Sequence, residues 1–204
     1  MINDSLLDKE ILNIDKFFHS LINVELPLPK ARISNEIDDA EVSSNDGSTG
    51  YVTINPSYLK GRNRISYRAL LAHGYFHQVQ YFLIGFYKSY LKEIKKGLGS
   101  GLNSERLSDL LDNLIESSAM FFAISYITKD LRGSARKYKI IKYLKSKQYM
   151  PLNGKFYNGN GVMLLAYSNS HYSIKDTVSK VLSPKEAVGI MKIYLDSVTA
   201  SDKS

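Results

Sequence analysis

The chain reads as an α+β fold, mostly α-helical, with a small β unit near its front. Three observations lead there. Apolar residues recur at helical spacing over residues 3–22 and again through several later stretches. Residues 31–54 change texture to short alternating pieces around Asn45-Asp46-Gly47, a strong turn signal. No internal repeat breaks the order of one helix, a small β unit and then mostly helices.

The first helix is carried by Leu6, Leu7, Ile11, Ile14, Phe17, Phe18, Leu21 and Ile22, with Asn3 or Asp4 placed to cap it and Pro27 and Pro29 to end it. Val52, Thr53 and Ile54 read as the return strand of a hairpin or meander that closes at Asn55-Pro56. A helix is expected from Ser66 to about Phe82 or Leu83, loosened at Gly85, and a second run from Phe86 to Lys96. Gly97, Gly99, Ser100 and Gly101 then form a flexible break. A long helix follows from about Ser104 to Thr128, with Leu107, Leu110, Leu111, Leu114, Ile115 and Met120 among its apolar positions. A basic helix begins after Gly133, and residues 150–171 are rich in Gly, Asn and Ser around the short apolar run Val162 to Ala166. A closing helix runs from Pro184, in the helix-starting position after Ser183, to about Ser197. The expected organisation is one domain over residues 1–204, divided into an N-terminal helix (1–30), a small β unit (31–56) and a helical part (57–204).

Composition narrows the function classes. At 204 residues, 44% hydrophobic and with five prolines, the chain can bury a core and is neither disordered nor fibrous. It has no cysteine, which excludes a disulfide framework, a thiolate metal site and a cysteine nucleophile. Met1 to Glu10 carries Asp4, Asp8 and Glu10 with no basic region leading into an apolar run, so it does not read as a secretory signal. No stretch approaches about 18 uninterrupted apolar residues. A cytoplasmic protein with no transmembrane segment is the expectation.

The net charge is +7, and residues 132–147 account for an equal amount: Arg132, Arg136, Lys137, Lys139, Lys142, Lys145 and Lys147 stand there with no acid. Such a segment suits nucleic acid or an acidic partner. It equally suits the solvated face of an amphipathic helix that packs through Tyr138, Ile141 and Leu144, and no nucleic-acid-reading motif accompanies it.

The residues that carry chemistry centre on His73 and His77, two of only four histidines. Four apart on a helix, they project from one face about 6 Å apart, a spacing that suits two imidazoles on one metal ion. The pair alone fits two ordinary histidines as well. Glu116, 39 positions after His77 on the next long helix, changes the balance. A glutamate on an apolar helix face, followed by small residues and then aromatics, is costly to bury unless a positive group meets it. Two histidines and a glutamate form an open zinc shell whose fourth position is left for water.

The run around His73 to His77 resembles the active-site helix of the gluzincin (thermolysin-like) zinc metallopeptidases, whose motif is H-E-x-x-H. The preceding Tyr51-Val52-Thr53-Ile54-Asn55-Pro56 resembles the edge strand that lines their substrate cleft, and Glu116, Ser117, Ala119 and Phe121 resemble their glutamate helix. The likeness spans roughly residues 50–127. It implies a zincin-like fold, Zn2+ held by His73, His77 and Glu116, and hydrolysis of a peptide or protein substrate. Gly74 departs from it, standing where the general-base glutamate is expected. That glutamate accepts the proton of the activated water and passes it to the leaving amine. Without it the activity is impaired, and Gly74 reads either as an introduced inactivating change or as the natural residue of a pseudopeptidase. Tyr75 cannot substitute, because its side chain leaves the helix about 100° round from position 74. In this family a Tyr or His from the C-terminal half faces the oxyanion. His171 and Tyr172 are the candidates here, with Tyr157 and Tyr167 as alternatives, while Asn55 and Tyr58 are placed to meet substrate backbone. His19 reads as a boundary residue of the first helix, which could lie over the cleft as a pro-segment.

Overall fold

The apolar spacing of the first helix is realised as α1 (Asp4–Leu21), which buries Leu7, Ile11, Ile14 and Phe18 on one stripe. The computed structural model describes residues 4–34, 43–44, 50–56, 64–84, 87–98, 104–132, 134–135, 138–139 and 173–201. Three short strands follow α1: β1 (Lys30–Ile33), β2 (Ser43–Ser44) and β3 (Tyr51–Ile54). The helices are α2 (Arg64–Ile84), α3 (Tyr87–Leu98), α4 (Ser104–Ile127), α5 (Ile174–Val181) and α6 (Pro184–Ser201). The protein is therefore α+β and mostly helical, as its sequence predicts.

The β unit differs from expectation in one respect that bears on function. β2 and β3 form the expected antiparallel pair, with Ser43 opposite Thr53 and Ser44 opposite Val52. β1 pairs with β3 in parallel along its whole length, Lys30 with Tyr51 through Ile33 with Ile54. The sheet order is β1-β3-β2, so Tyr51–Ile54 is the central strand and not a free edge. A parallel neighbour requires a crossover, which local turn signals do not reveal. A substrate strand cannot add to β3 by backbone pairing where β1 and β2 already occupy both sides.

Helix α2 is the axis of the molecule. From Tyr67 to Gln80 nearly every residue is buried, because α1, β3 and α4 all pack on it. Its contact with α4 is antiparallel: Arg68 lies by Tyr126, Phe76 stacks on Phe122 with ring centroids 4.8 Å apart, and Gln80 reaches Ile115. α1 is tied into this core by polar contacts as well. Its Asp8 accepts from the Ala31 amide at 2.8 Å, and its Glu10 accepts from both Arg68 and Tyr126. An element so embedded is part of the core, which corrects the pro-segment expectation.

Two further differences concern the helical part. Gly97 falls inside α3, not in a break: a Cβ there would stand 2.6 Å from a Val188 methyl carbon on α6, so only glycine lets these helices approach so closely. Helix α5 was not anticipated, although Ser173 and Asp176 carry its start signal: the Asp176 amide donates to Ser173 Oγ at 3.1 Å. In the basic segment Tyr138 is 66% exposed, so it does not pack that segment onto the core as expected. Arg132 and Lys139 are exposed too, while Arg136, Lys142, Ile141 and Leu144 lie outside the described residues. No helix among the described residues is long and apolar enough to cross a membrane.

Candidate metal centre

Helical geometry delivers His73 and His77 to one face of α2, and that face is turned toward α4. On α4 the run Ser117-Ser118-Ala119 is fully buried, and small side chains there let the two helices approach closely beside Glu116. The result brings together the three residues that the sequence singles out. His73 Nε2 and His77 Nε2 are 2.9 Å apart. Glu116 bridges them, with Oε2 3.4 Å from His73 Nε2 and Oε1 3.3 Å from His77 Nε2. Each residue offers one ligand atom to a group that can hold a metal ion. The side chains are 5, 17 and 28% exposed in the order His73, His77, Glu116, so the group is closed on the His73 side and open beside the carboxylate.

A neighbouring network fixes which nitrogen of His77 carries its proton. Gln80 Nε2 lies 3.0 Å from the Ile115 carbonyl and 2.7 Å from Ser118 Oγ, and Ser118 Oγ donates to the same carbonyl at 2.8 Å. A carbonyl can only accept, so the amide nitrogen of Gln80 must face it and the amide oxygen must face His77. That oxygen is 2.8 Å from His77 Nδ1, which must therefore be the protonated nitrogen. In the neutral ring, His77 Nε2 then presents a lone pair to His73 and Glu116.

Protons alone satisfy this arrangement poorly. If His73 carries its proton on Nε2, it can serve His77 or Glu116 but not both. If the proton is on Nδ1, it is a buried donor without a partner among the described residues. If both Nε2 atoms are protonated, two N–H groups collide across 2.9 Å. A cation among the three facing ligand atoms would satisfy them together, with the His73 proton then on the buried Nδ1. Ligands about 2.0–2.1 Å from a tetrahedral zinc stand about 3.3–3.4 Å from one another. Each Glu116 oxygen stands at that spacing from one imidazole, Oε2 from His73 and Oε1 from His77, and the imidazole pair would part by about 0.4 Å to reach it.

The electrostatics favour ligation. Burial first, and then the neighbouring His77, hold His73 below the usual histidine range against the opposing pull of Glu116, which keeps the ring neutral and able to bind metal. Burial by itself would raise the Glu116 carboxyl. The hydrogen bonds and charges of the two imidazoles outweigh it and hold the group well below the usual carboxylate range.

Gly74 lies buried in α2 between the ligand turns. Tyr75 points elsewhere: its hydroxyl donates to Asp15 of α1 at 2.7 Å, and burial, then Asp15, raise it above the usual tyrosine range. Asp15 also meets His19 at 3.4 Å, which gives that histidine the boundary role expected of it. Asn55 is buried after β3. His171, Tyr172, Tyr157, Tyr167 and Tyr58 lie outside the described residues. Sequence reasoning missed Gln80 and Ser118. The signal for Gln80 was the i,i+3 spacing from His77, which places it on the ligand face.

No family model, curated protein or solved structure matches this chain.

Proposed function

We propose that this protein is a zinc-binding scaffold of the gluzincin type, built to hydrolyse peptide bonds and impaired as written because Gly74 supplies no general base. The observation that supports this reading best is the convergence of two imidazoles and one carboxylate from two helices on one point, each offering a ligand atom. His73, His77 and Glu116 would hold the ion with a net ligand charge of about −1, leaving it electrophilic. Bound, zinc supplies a Lewis acid that polarises a carbonyl and lowers the pKa of water. The chain's own residues orient and exclude: Gln80 sets the His77 ring, the buried side of His73 keeps out solvent, and the exposed side of Glu116 admits substrate. Position 74 has nothing to accept a proton, and the Tyr75 hydroxyl is committed to Asp15.

Elemental analysis of protein prepared with ample zinc should find one zinc per chain; metal-free protein would remove the reading. The substitution Gly74→Glu should raise peptide hydrolysis by about 10²–10⁴-fold, the usual contribution of a positioned base. A zinc-loaded variant that stays inert on broad peptide libraries would leave metal binding without peptidase ancestry.

A second reading draws on the exposed Arg132, Tyr138 and Lys139. In it the basic segment docks on nucleic acid or an acidic partner, whether or not the metal centre is active. Binding to an oligonucleotide should then weaken steeply with salt and on joint replacement of Arg136, Lys139 and Lys142. Salt-insensitive or absent binding would dismiss it.

A further inference from the structure

We infer that Gln80 is the positioning residue of the metal centre: it fixes the His77 tautomer and locks that ligand to the backbone beside Glu116. The inference rests on the metal-binding reading of His73, His77 and Glu116. Gln80 is buried, and its amide makes three hydrogen bonds, one to His77 on its own helix and two across the interface to α4. The oxygen takes the His77 Nδ1–H at 2.8 Å, one N–H goes to the Ile115 carbonyl at 3.0 Å, and the other to Ser118 Oγ at 2.7 Å. Such a network is costly to bury with its donors unpaired, and here both amide N–H groups are paired.

Its placement gives it a specific role. Gln80 sits one turn after His77 on α2, and its acceptors are the residue before Glu116 and the second residue after it on α4. One side chain thereby sets the ring orientation of one ligand and the position of that ring relative to a second ligand on another helix. A metal-binding histidine ordinarily gives its far N–H to an oriented acceptor, and loss of such a partner weakens metal binding by about 10–100-fold. The other imidazole is built differently. Among the described residues His73 Nδ1 has no partner, so no second-side bond orients its ring. His77 is therefore the ligand anchored through its far nitrogen, and His73 is the imidazole without such an anchor.

The test compares the full-length protein with Gln80→Met, which keeps the length of the side chain and removes its bonds, and Gln80→Glu, which keeps an acceptor for His77. Two readouts are taken: the His77 tautomer by ring 15N NMR of metal-free protein, and Zn2+ affinity by competition with a chelator. The wild type should show the Nδ1–H form. Gln80→Met should lose that preference and bind Zn2+ about 10–100-fold more weakly. Gln80→Glu should keep the tautomer and bind more tightly than Gln80→Met. If Gln80→Met lowers only thermal stability, with tautomer and affinity unchanged, or if both variants behave alike, the residue is a spacer and the inference is overturned. Should Gln80→Met fail to fold, Ser118→Ala takes its place, with the same sign in both readouts expected and no change counting against the inference. A wild type that takes up no zinc removes the metal reading, and the tautomer measurement then decides the role of Gln80 by itself.

Discussion

Two carboxylates are withdrawn from bulk water along α2, and they are compensated in opposite ways. Glu10, from α1, meets the Arg68 guanidinium and the Tyr126 hydroxyl on the same oxygen. Arg68 lies over the Tyr126 ring at 5.1 Å, and Lys129 approaches the same ring at 4.4 Å. Burial alone would lower the Arg68 pKa, but its bonds to Tyr126 and Glu10 outweigh that and leave it firmly charged. Glu116, little more than two turns of α2 away, has two imidazoles as partners among the described residues, one of them buried and held neutral. The first cluster contains its own cation. The second has the donor atoms for a cation but no permanently charged one. Their shared helix and different chemistry separate a structural anchor from a candidate binding site: a carboxylate that already has its own cation has less to gain from another.

This contrast can be broken most sharply at the two carboxylates. Glu116→Gln should reduce Zn2+ affinity by more than the about 100-fold that loss of an orienting partner costs, because it removes the only anionic ligand. It should also cost the metal-free fold the stabilisation that the carboxylate draws from the two imidazoles, as read by urea unfolding alongside chelator competition. Retained affinity would place the ion elsewhere. Glu10→Gln should act on the fold alone: unfolding stability should fall by about 3–5 kcal/mol, the usual result of stranding one partner of a buried pair, with Zn2+ affinity unchanged. A loss of affinity there would join the two clusters into one unit.

The pH dependence gives a smaller, sharpening effect. The folded-state pKa of His73 lies below its unfolded value of about 6.5, so acidification protonates the unfolded chain first. Its contribution is therefore complete above pH about 6.5 and is lost as pH falls toward the folded value. Glu116 acts in the same direction lower down: its folded pKa is depressed, so its stabilisation is present above about pH 4.3 and disappears as the carboxylate is protonated. Metal-free wild type should accordingly lose more stability between pH 7 and 4 than His73→Gln does, measured by urea midpoints at each pH. Equal losses would show that the histidine is not held neutral by burial.

Much of the local structure was legible in the sequence. Helical spacing gave α1, α2, α4 and α6 to within a few residues, and Asn45-Asp46-Gly47 between short alternating pieces gave the β2–β3 pairing. The i,i+4 spacing placed His73 and His77 on one face because 3.6 residues per turn leaves no other possibility. These features depend on bond geometry over a few residues, so one chain suffices to read them. Glu116 was singled out by the cost of burying a carboxylate among apolar neighbours, which is again a local property.

The tertiary structure decided which partners those faces meet. Only the antiparallel packing of α2 on α4 brings Glu116 to the histidines, and only the parallel entry of β1 makes β3 central. The same packing recruits Gln80 to His77 through Ile115 and Ser118, and draws Glu10 of α1 into the core to meet Arg68. Contacts between residues 35 to 116 positions apart depend on how whole faces pack and which buried polar groups can be satisfied together, and that balance is summed over the entire core.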